Sequence, residues 1–263
     1  MAVVEVRFYE ELNDFLPACR RKVGFAHTFC GRVSVKDLIE SLGVPHTEVD
    51  LILVHGQSVD FSYLVQDGDR ISVYPVFEAL DISPVVRLRP EPLRVTRFVA
   101  DIHLGKLARL LRLLGFDSLY RNDYTDDTLA EISSTEGRIL LTRDSGLLKR
   151  RVITHGYWIR RREPQEQLRE VVLRFDLARS VAPFSRCLDC NGLLEGIAKE
   201  EVLDRLQPST RRDFREFWLC RGCSKVYWKG SHYQGMRERI SWILDDPANS
   251  IEIPPPSQNR GLP

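Results

Sequence analysis

The chain has 263 residues, of which 43% are hydrophobic and 29% charged, with a formal net charge of +1. Those values describe a soluble globular protein with room for two or three domains. No run approaches the roughly 20 apolar residues that a membrane span needs, and the acidic start MAVVEVRFYEELND lacks a secretory pattern, so a cytoplasmic location without membrane contact is expected.

Charge is uneven: residues 1–80 hold 7 Lys and Arg against 12 Asp and Glu, and the remainder hold 31 against 25. The first stretch reads as a separate unit. Val3 to Phe8 alternates in part like a strand, and Phe25 to Phe29 suits its hairpin partner. Ser34 to Gly43 is a capped amphipathic helix closed by glycine. Leu51 to Val54 and Arg70 to Tyr74 follow as strands, each next to a glycine turn. The order ββαββ, with V-H-G-Q-S-V-D and L-x-D-G-D-R-I-S-V-Y-P, resembles a β-grasp of the ubiquitin and sulfur-carrier kind. Carriers end in a free Gly-Gly tail, whereas this unit continues into Val76 to Leu80, so a binding or packing module is expected, with a protein partner.

Pro84, Pro90 and Pro92 mark residues 81–94 as a stiffened linker, which predicts independent folding of the first unit. A second unit, 95–180, follows. Phe98-Val99-Ala100 leads into Asp101, and Ile139-Leu140-Leu141-Thr142-Arg143 leads into Asp144. Helix-like segments alternate with these runs, which reads as βαβ with parallel strands. Parallel strands share a carboxyl edge where ligands bind, so Asp101 and Asp144 can converge there. Asp126 precedes a helical pattern; alone, it or Asp127 is as readily an N-cap. Three acids at one edge repel unless a cation lies among them, and Mg²⁺ or Mn²⁺ with a phosphodiester implies metal-assisted hydrolysis. Lys106, Arg109 and Arg112 recur every three residues beside a leucine stripe. They read either as a solvated face or as phosphate contacts, and Arg143 stands next to Asp144 as a further candidate for RNA binding.

The third unit, 181–245, opens with Cys187-Leu188-Asp189-Cys190 and returns with Cys220-Arg221-Gly222-Cys223. Paired Cys-x-x-Cys knuckles read as a closed, structural four-thiolate Zn²⁺ site; disulfides or redox motifs are the alternatives. The 29 residues between the knuckles predict a helix at Lys199 to Leu206 and a loop at Pro208. Tyr227, Trp228, Lys229 and Tyr233 suit base stacking with phosphate contact, or packing of the ribbon. His232 lines the active edge or caps the ribbon. A helix is expected from Met236 to Leu244, and a disordered tail over 246–263.

The run D-x-x-L-A-x-I-x-x-x-x-G-R-I-L-L-T-R-D, Asp126 to Asp144, resembles the second half of a PIN-domain nuclease. D-I-H-L-G-K-L-A-R-L-L-R-L-L-G-F-D, Asp101 to Asp117, is similar to a narrower group, the PIN-like RNase domains named for the C-terminal region of the mutator exonuclease Mut-seven. The Tyr-Trp-x-Gly-x-His string is similar to the ribbon tail of that family. The resemblance implies an α/β fold, a PIN-like parallel sheet flanked by helices, with a ubiquitin-like unit ahead and a zinc ribbon behind. It implies metal-binding acids at Asp101, Asp126 and Asp144 and a basic helix at Lys106, Arg109 and Arg112. Many PIN domains carry a fourth acid after the third; here Ser145-Gly146-Leu147 follows, and Asp123 or Asp127 is the available substitute. The expected activity is metal-dependent hydrolysis of single-stranded RNA, or of the single-stranded end of a structured RNA such as tRNA. The rival is a non-catalytic adaptor for RNA or the ribosome.

Overall fold

The computed structural model describes residues 1–75 and 96–244; the expected linker and tail lie outside them. Contacts divide the chain into two units, Met1–His103 with Asp123–Ile159, and Leu104–Asn122 with Arg160–Pro263.

The first unit begins with β1 (Ala2–Phe8), β2 (Phe25–Phe29), α1 (Val35–Ser41), β3 (Val49–Val54), β4 (Gln57–Val59) and β5 (Arg70–Pro75). β1 runs antiparallel to β2 and parallel to β5, giving the sheet order β2-β1-β5-β3-β4 expected of a β-grasp. Alternation along β1 buries Val4, Val6 and Phe8 against Leu38 and Ile39 of α1. Ser34 caps α1, its Oγ accepting from the Asp37 N–H at 3.1 Å.

The same unit contains β6 (Phe98–Ala100), α3 (Asp126–Glu136), β8 (Ile139–Thr142) and β9 (Gly156–Trp158), numbered to leave α2 (Gly105–Leu113) and β7 (Ser118–Leu119) to the second unit. β6, β8 and β9 pair in parallel, in that order. Their apolar runs do not alternate because both faces are covered; Phe98, Val99, Leu140 and Leu141 are all buried. Thr125, rather than Asp126 or Asp127, caps α3: its Oγ1 accepts from the Thr128 N–H at 3.2 Å. Gly137, at φ 61°, ends the helix in the left-handed region.

The β-grasp, expected to fold independently, packs against the parallel sheet within the same unit. Glu48, fully buried, accepts from the Trp158 N–H on edge strand β9 at 2.7 Å. His46 lies between Glu40 Oε1 at 2.6 Å and the Ile153 carbonyl at 2.9 Å. Lys149 Nζ donates to the Glu40 carbonyl at 2.9 Å. An edge strand needs its outward N–H groups satisfied, and here the β-grasp satisfies one.

The second unit contains α2, β7, α4 (Pro164–Arg174), β10 (Leu194–Ile197), α5 (Pro208–Asp213), β11 (Phe217–Cys220), β12 (Val226–Trp228) and α6 (Ser231–Leu244). Leu107, Leu111 and Leu114 of the stripe along α2 are buried, as are Leu168, Val171 and Val172 of α4. β10, β11 and β12 form an antiparallel ribbon. Two expectations change here. Pro208 starts a short helix rather than a loop, since proline suits the first helical position. The last helix starts at Ser231, five residues before the expected Met236.

The first cysteine knuckle is fastened to α2 and β7. Arg112, 3% exposed, donates from Nε to Ser118 O at 2.9 Å and from Nη1 to Leu188 O and Asp189 O at 3.1 and 2.7 Å. Asn191 donates to Asp117 Oδ1 at 2.7 Å and accepts from the Ser118 N–H at 3.0 Å.

Two outcomes are expected. Arg112→Ala strips three carbonyls of a charged donor and should cost on the order of 3 kcal/mol in urea denaturation. Removing residues 1–75 should leave the remainder insoluble or without a cooperative transition by circular dichroism, because the Trp158 N–H and the surface under Glu48 become exposed.

Candidate active site and cysteine cluster

Asp101 follows β6 directly, and its N–H still pairs with Leu141 O at 3.0 Å. Its side chain is buried at 7% exposure. A buried carboxylate requires donors, and two are present. Ile102 N–H reaches Oδ1 at 2.5 Å, and the Thr142 hydroxyl reaches Oδ2 at 2.7 Å. Thr142 Oγ1 in turn accepts from the Asp144 N–H at 2.9 Å. Asp144 is exposed, and its Oδ1 accepts from the Gly146 N–H at 2.7 Å. Thr142 therefore ties together the two acids that the strand pattern predicts at one edge. A hydroxyl two residues before the acid, at the end of an apolar strand, was the available signal for it.

Asp126 and Asp127 stand in the first turn of α3, where the helix dipole favours carboxylates. Arg150 meets both, with Nη1 2.5 Å from Asp127 Oδ1 and Nη2 3.8 Å from Asp126 Oδ2. Among the described residues, only the four cysteines bring three or more His, Cys, Asp or Glu ligand atoms within single-ion reach. The three aspartates are not drawn into such a group. Their oxygens nonetheless fit Mg²⁺ or Mn²⁺ in kind, since these ions are held by one or two carboxylates and otherwise keep water.

The remaining acid and the basic candidates fall in different settings. Asp123 is exposed in the loop before α3. Lys106 is exposed; Arg109 pairs with Asp189 at 3.1 Å; Arg112 is the buried anchor of the knuckle. Arg143 is exposed beside Asp144. Lys229 pairs with Glu216 at 2.6 Å and lies 5.4 Å from the Trp218 ring centre. His232 is exposed in the first turn of α6.

The ligand sulfurs of Cys187, Cys190, Cys220 and Cys223 all lie within 4.8 Å of one another. Cys187 and Cys223 are 3.6 Å apart, and Cys190 and Cys220 3.3 Å. Tetrahedral zinc with bonds of about 2.3 Å separates its sulfurs by roughly 3.8 Å. Backbone N–H groups of Cys190, Gly222 and Cys223 approach the sulfurs at 3.3–3.5 Å. A Cβ on Gly192 would stand 2.9 Å from Cys220 Sγ, so the cradle admits no side chain there. Burial pushes the Cys187 thiol up, but N–H groups of Cys190 and Asp189 and the Tyr227 hydroxyl, 3.1 Å away, outweigh it and hold it down to about 6. Burial, with the neighbouring cysteines, pushes Cys190 up to about 12. Four sulfurs this close cannot all ionise without a cation, and a divalent soft-tolerant ion resolves that conflict. No disulfide joins them.

No curated protein and no solved structure matches the chain. Residues 1–81 match the family described as Mut7-C ubiquitin, and residues 96–240 match the one described as Mut7-C RNAse domain. The second match spans more than half of the sequence, and with it the chain belongs to the Mut7-C RNAse domain family, carrying a ubiquitin-like unit ahead of that domain.

Proposed function

We propose that the protein is a metal-dependent ribonuclease of PIN-like type that hydrolyses phosphodiester bonds of single-stranded RNA, or the single-stranded end of a structured RNA such as tRNA. The observation that carries this reading is the web of Asp101, Thr142 and Asp144 at the carboxyl ends of two parallel strands, in a chain of an RNase-domain family. Asp101 and Asp144, with Asp126, would hold Mg²⁺ or Mn²⁺. When bound, such an ion supplies an activated water and stabilises the leaving oxygen. Thr142 orients the Asp101 carboxylate, its hydroxyl donating to Oδ2. Exposed Lys106 and Arg143 would contact phosphate, since guanidinium and ammonium groups position a backbone without reading sequence. Arg109 and Lys229, each already paired with a carboxylate, would contribute after exchanging partners; His232 is the remaining candidate. The cysteine cluster would hold one structural Zn²⁺, and a cytoplasmic setting suits its free thiols. The ubiquitin-like unit is a candidate surface for a protein partner.

The adaptor reading has one observation in its favour: Arg150 already meets Asp126 and Asp127, and the aspartates are not gathered for a single ion. Asp144→Asn separates the two. It removes one negative charge with little change of shape, so RNA binding should persist or strengthen while Mn²⁺-dependent cleavage of labelled RNA falls by at least about 100-fold, given how much of the barrier a metal removes. Wild type and variant leaving every RNA intact, while binding it equally, would establish the adaptor.

Cys187→Ser should lower bound zinc from one equivalent per chain and destabilise the second unit, because ligand binding energy is folding energy in such sites. Elemental analysis of the purified protein without zinc, or mass spectrometry showing a disulfide, would remove the metal assignment.

A further inference from the structure

We propose that the ubiquitin-like part is an internal brace for the loop carrying Asp144, acting through Trp158, so that Phe15, Glu48 and Trp158 are positioning residues for the acidic edge. Its effect on cleavage rests on the ribonuclease reading above; the brace itself rests on geometry alone.

The loop runs from Arg143 to Arg150. Asp144 stands near its start, and the guanidinium that meets Asp126 and Asp127 stands at its end. Trp158 closes β9 in register with Thr142. Its indole N–H donates to the Arg143 carbonyl at 3.0 Å, one residue before Asp144. Its own backbone N–H donates to the fully buried Glu48 carboxylate at 2.7 Å. Its ring lies against Phe15, with centres 4.9 Å apart at 43°. At the other end of the loop, Lys149 Nζ donates to the Glu40 carbonyl at 2.9 Å. Phe15, Glu40 and Glu48 all belong to residues 1–75, so that segment holds the loop at both ends.

The half of the loop that carries Asp144 is the less firmly held. Leu147 and Leu148 are buried and Leu147–Lys149 forms a helical turn, but the stretch before them, Arg143 to Gly146, is largely exposed: Asp144 donates its N–H to Thr142 Oγ1 at 2.9 Å, and Gly146 N–H donates to Asp144 Oδ1 at 2.7 Å. A loop of that kind opens locally unless tied to a packed body. Trp158 supplies the tie from an aromatic that is itself fixed on two sides, by a ring and by a buried carboxylate. An acid displaced by about 1 Å can lose on the order of 100-fold in rate, so a brace of this kind acts on turnover rather than on RNA affinity.

The test uses the full chain. Trp158→Phe keeps the ring against Phe15 and the backbone N–H to Glu48 but removes the donor to Arg143. Glu48→Leu removes the acceptor from Trp158, and Glu48→Gln restores one. Hydrogen exchange by mass spectrometry on Arg143 to Arg150 is read beside cleavage. Trp158→Phe and Glu48→Leu should raise exchange of that segment about ten-fold or more, with β6 and β8 still protected. They should lower kcat about ten-fold with KM and RNA binding in chelator unchanged, and Glu48→Gln should stay within about two-fold of wild type. Exchange unchanged in Trp158→Phe overturns the brace, whatever the RNA does. A loosened loop with kcat within two-fold of wild type overturns the positioning role. A wild type inert on every RNA with Mn²⁺ rejects the ribonuclease reading instead, and exchange alone then decides the brace. Should Glu48→Leu fail to fold, Trp158→Phe carries the test.

Discussion

Parallel pairing sets Phe98 opposite Ile139 and Ala100 opposite Leu141, so β6 and β8 stop side by side and deliver Asp101 and the Thr142–Asp144 turn to one edge. Everything at the candidate site depends on this register. It also creates a difficulty, because it places a carboxylate where little solvent reaches. An ion without partners in such a position costs several kcal/mol, whereas each hydrogen bond to a charged group returns about 1.5–3 kcal/mol. Two donors meet the Asp101 carboxylate there. Thr142 is one of them, and because its oxygen also receives the Asp144 N–H, the same hydroxyl that stabilises one acid fixes the backbone of the other.

The cysteine cluster poses the same problem with more charge. Cys187 is held down by amide and hydroxyl donors, while Cys190 is pushed up by burial and its neighbours and Cys223 is also raised. Around the first knuckle the carbonyls of Leu188 and Asp189 face Arg112, and Asp189 also meets Arg109 and Lys225. A buried guanidinium thus lies against the carbonyls of the turn that presents sulfur. Order at the knuckle and order at the end of α2 are consequently one property, and ordering the ligands orders the helix.

How far the sequence could be read follows from the range of the interactions involved. Apolar runs ending in acids identify β6 and β8, and paired Cys-x-x-Cys spacing identifies the cluster, because each signal is carried by a few adjacent residues. The β-grasp was legible in the same way, from alternation, a capped helix and glycine turns. Arg112 was read with Lys106 and Arg109 as one basic face, since period three cannot distinguish a side chain turned outward from one turned toward carbonyls 76 and 77 positions away. The link from Glu48 to Trp158 spans 110 positions, and no local pattern encodes it. The sequence offers Asp126 or Asp127 as the cap of α3 and leaves out Thr125, because all three are good caps and only backbone geometry selects among them.

The two groups of acids differ in how firmly they are held. Asp101 is buried and bonded to a buried hydroxyl, so its orientation is set before any ligand arrives. Asp126 and Asp127 are 57% and 90% exposed, and their partner Arg150 is 37% exposed. Exposed ion pairs contribute about 0–1 kcal/mol, so this guanidinium holds the two carboxylates only weakly. Asp101 is thus fixed by hydrogen bonds in the interior, whereas Asp126 and Asp127 are held by an exposed ion pair at the start of α3.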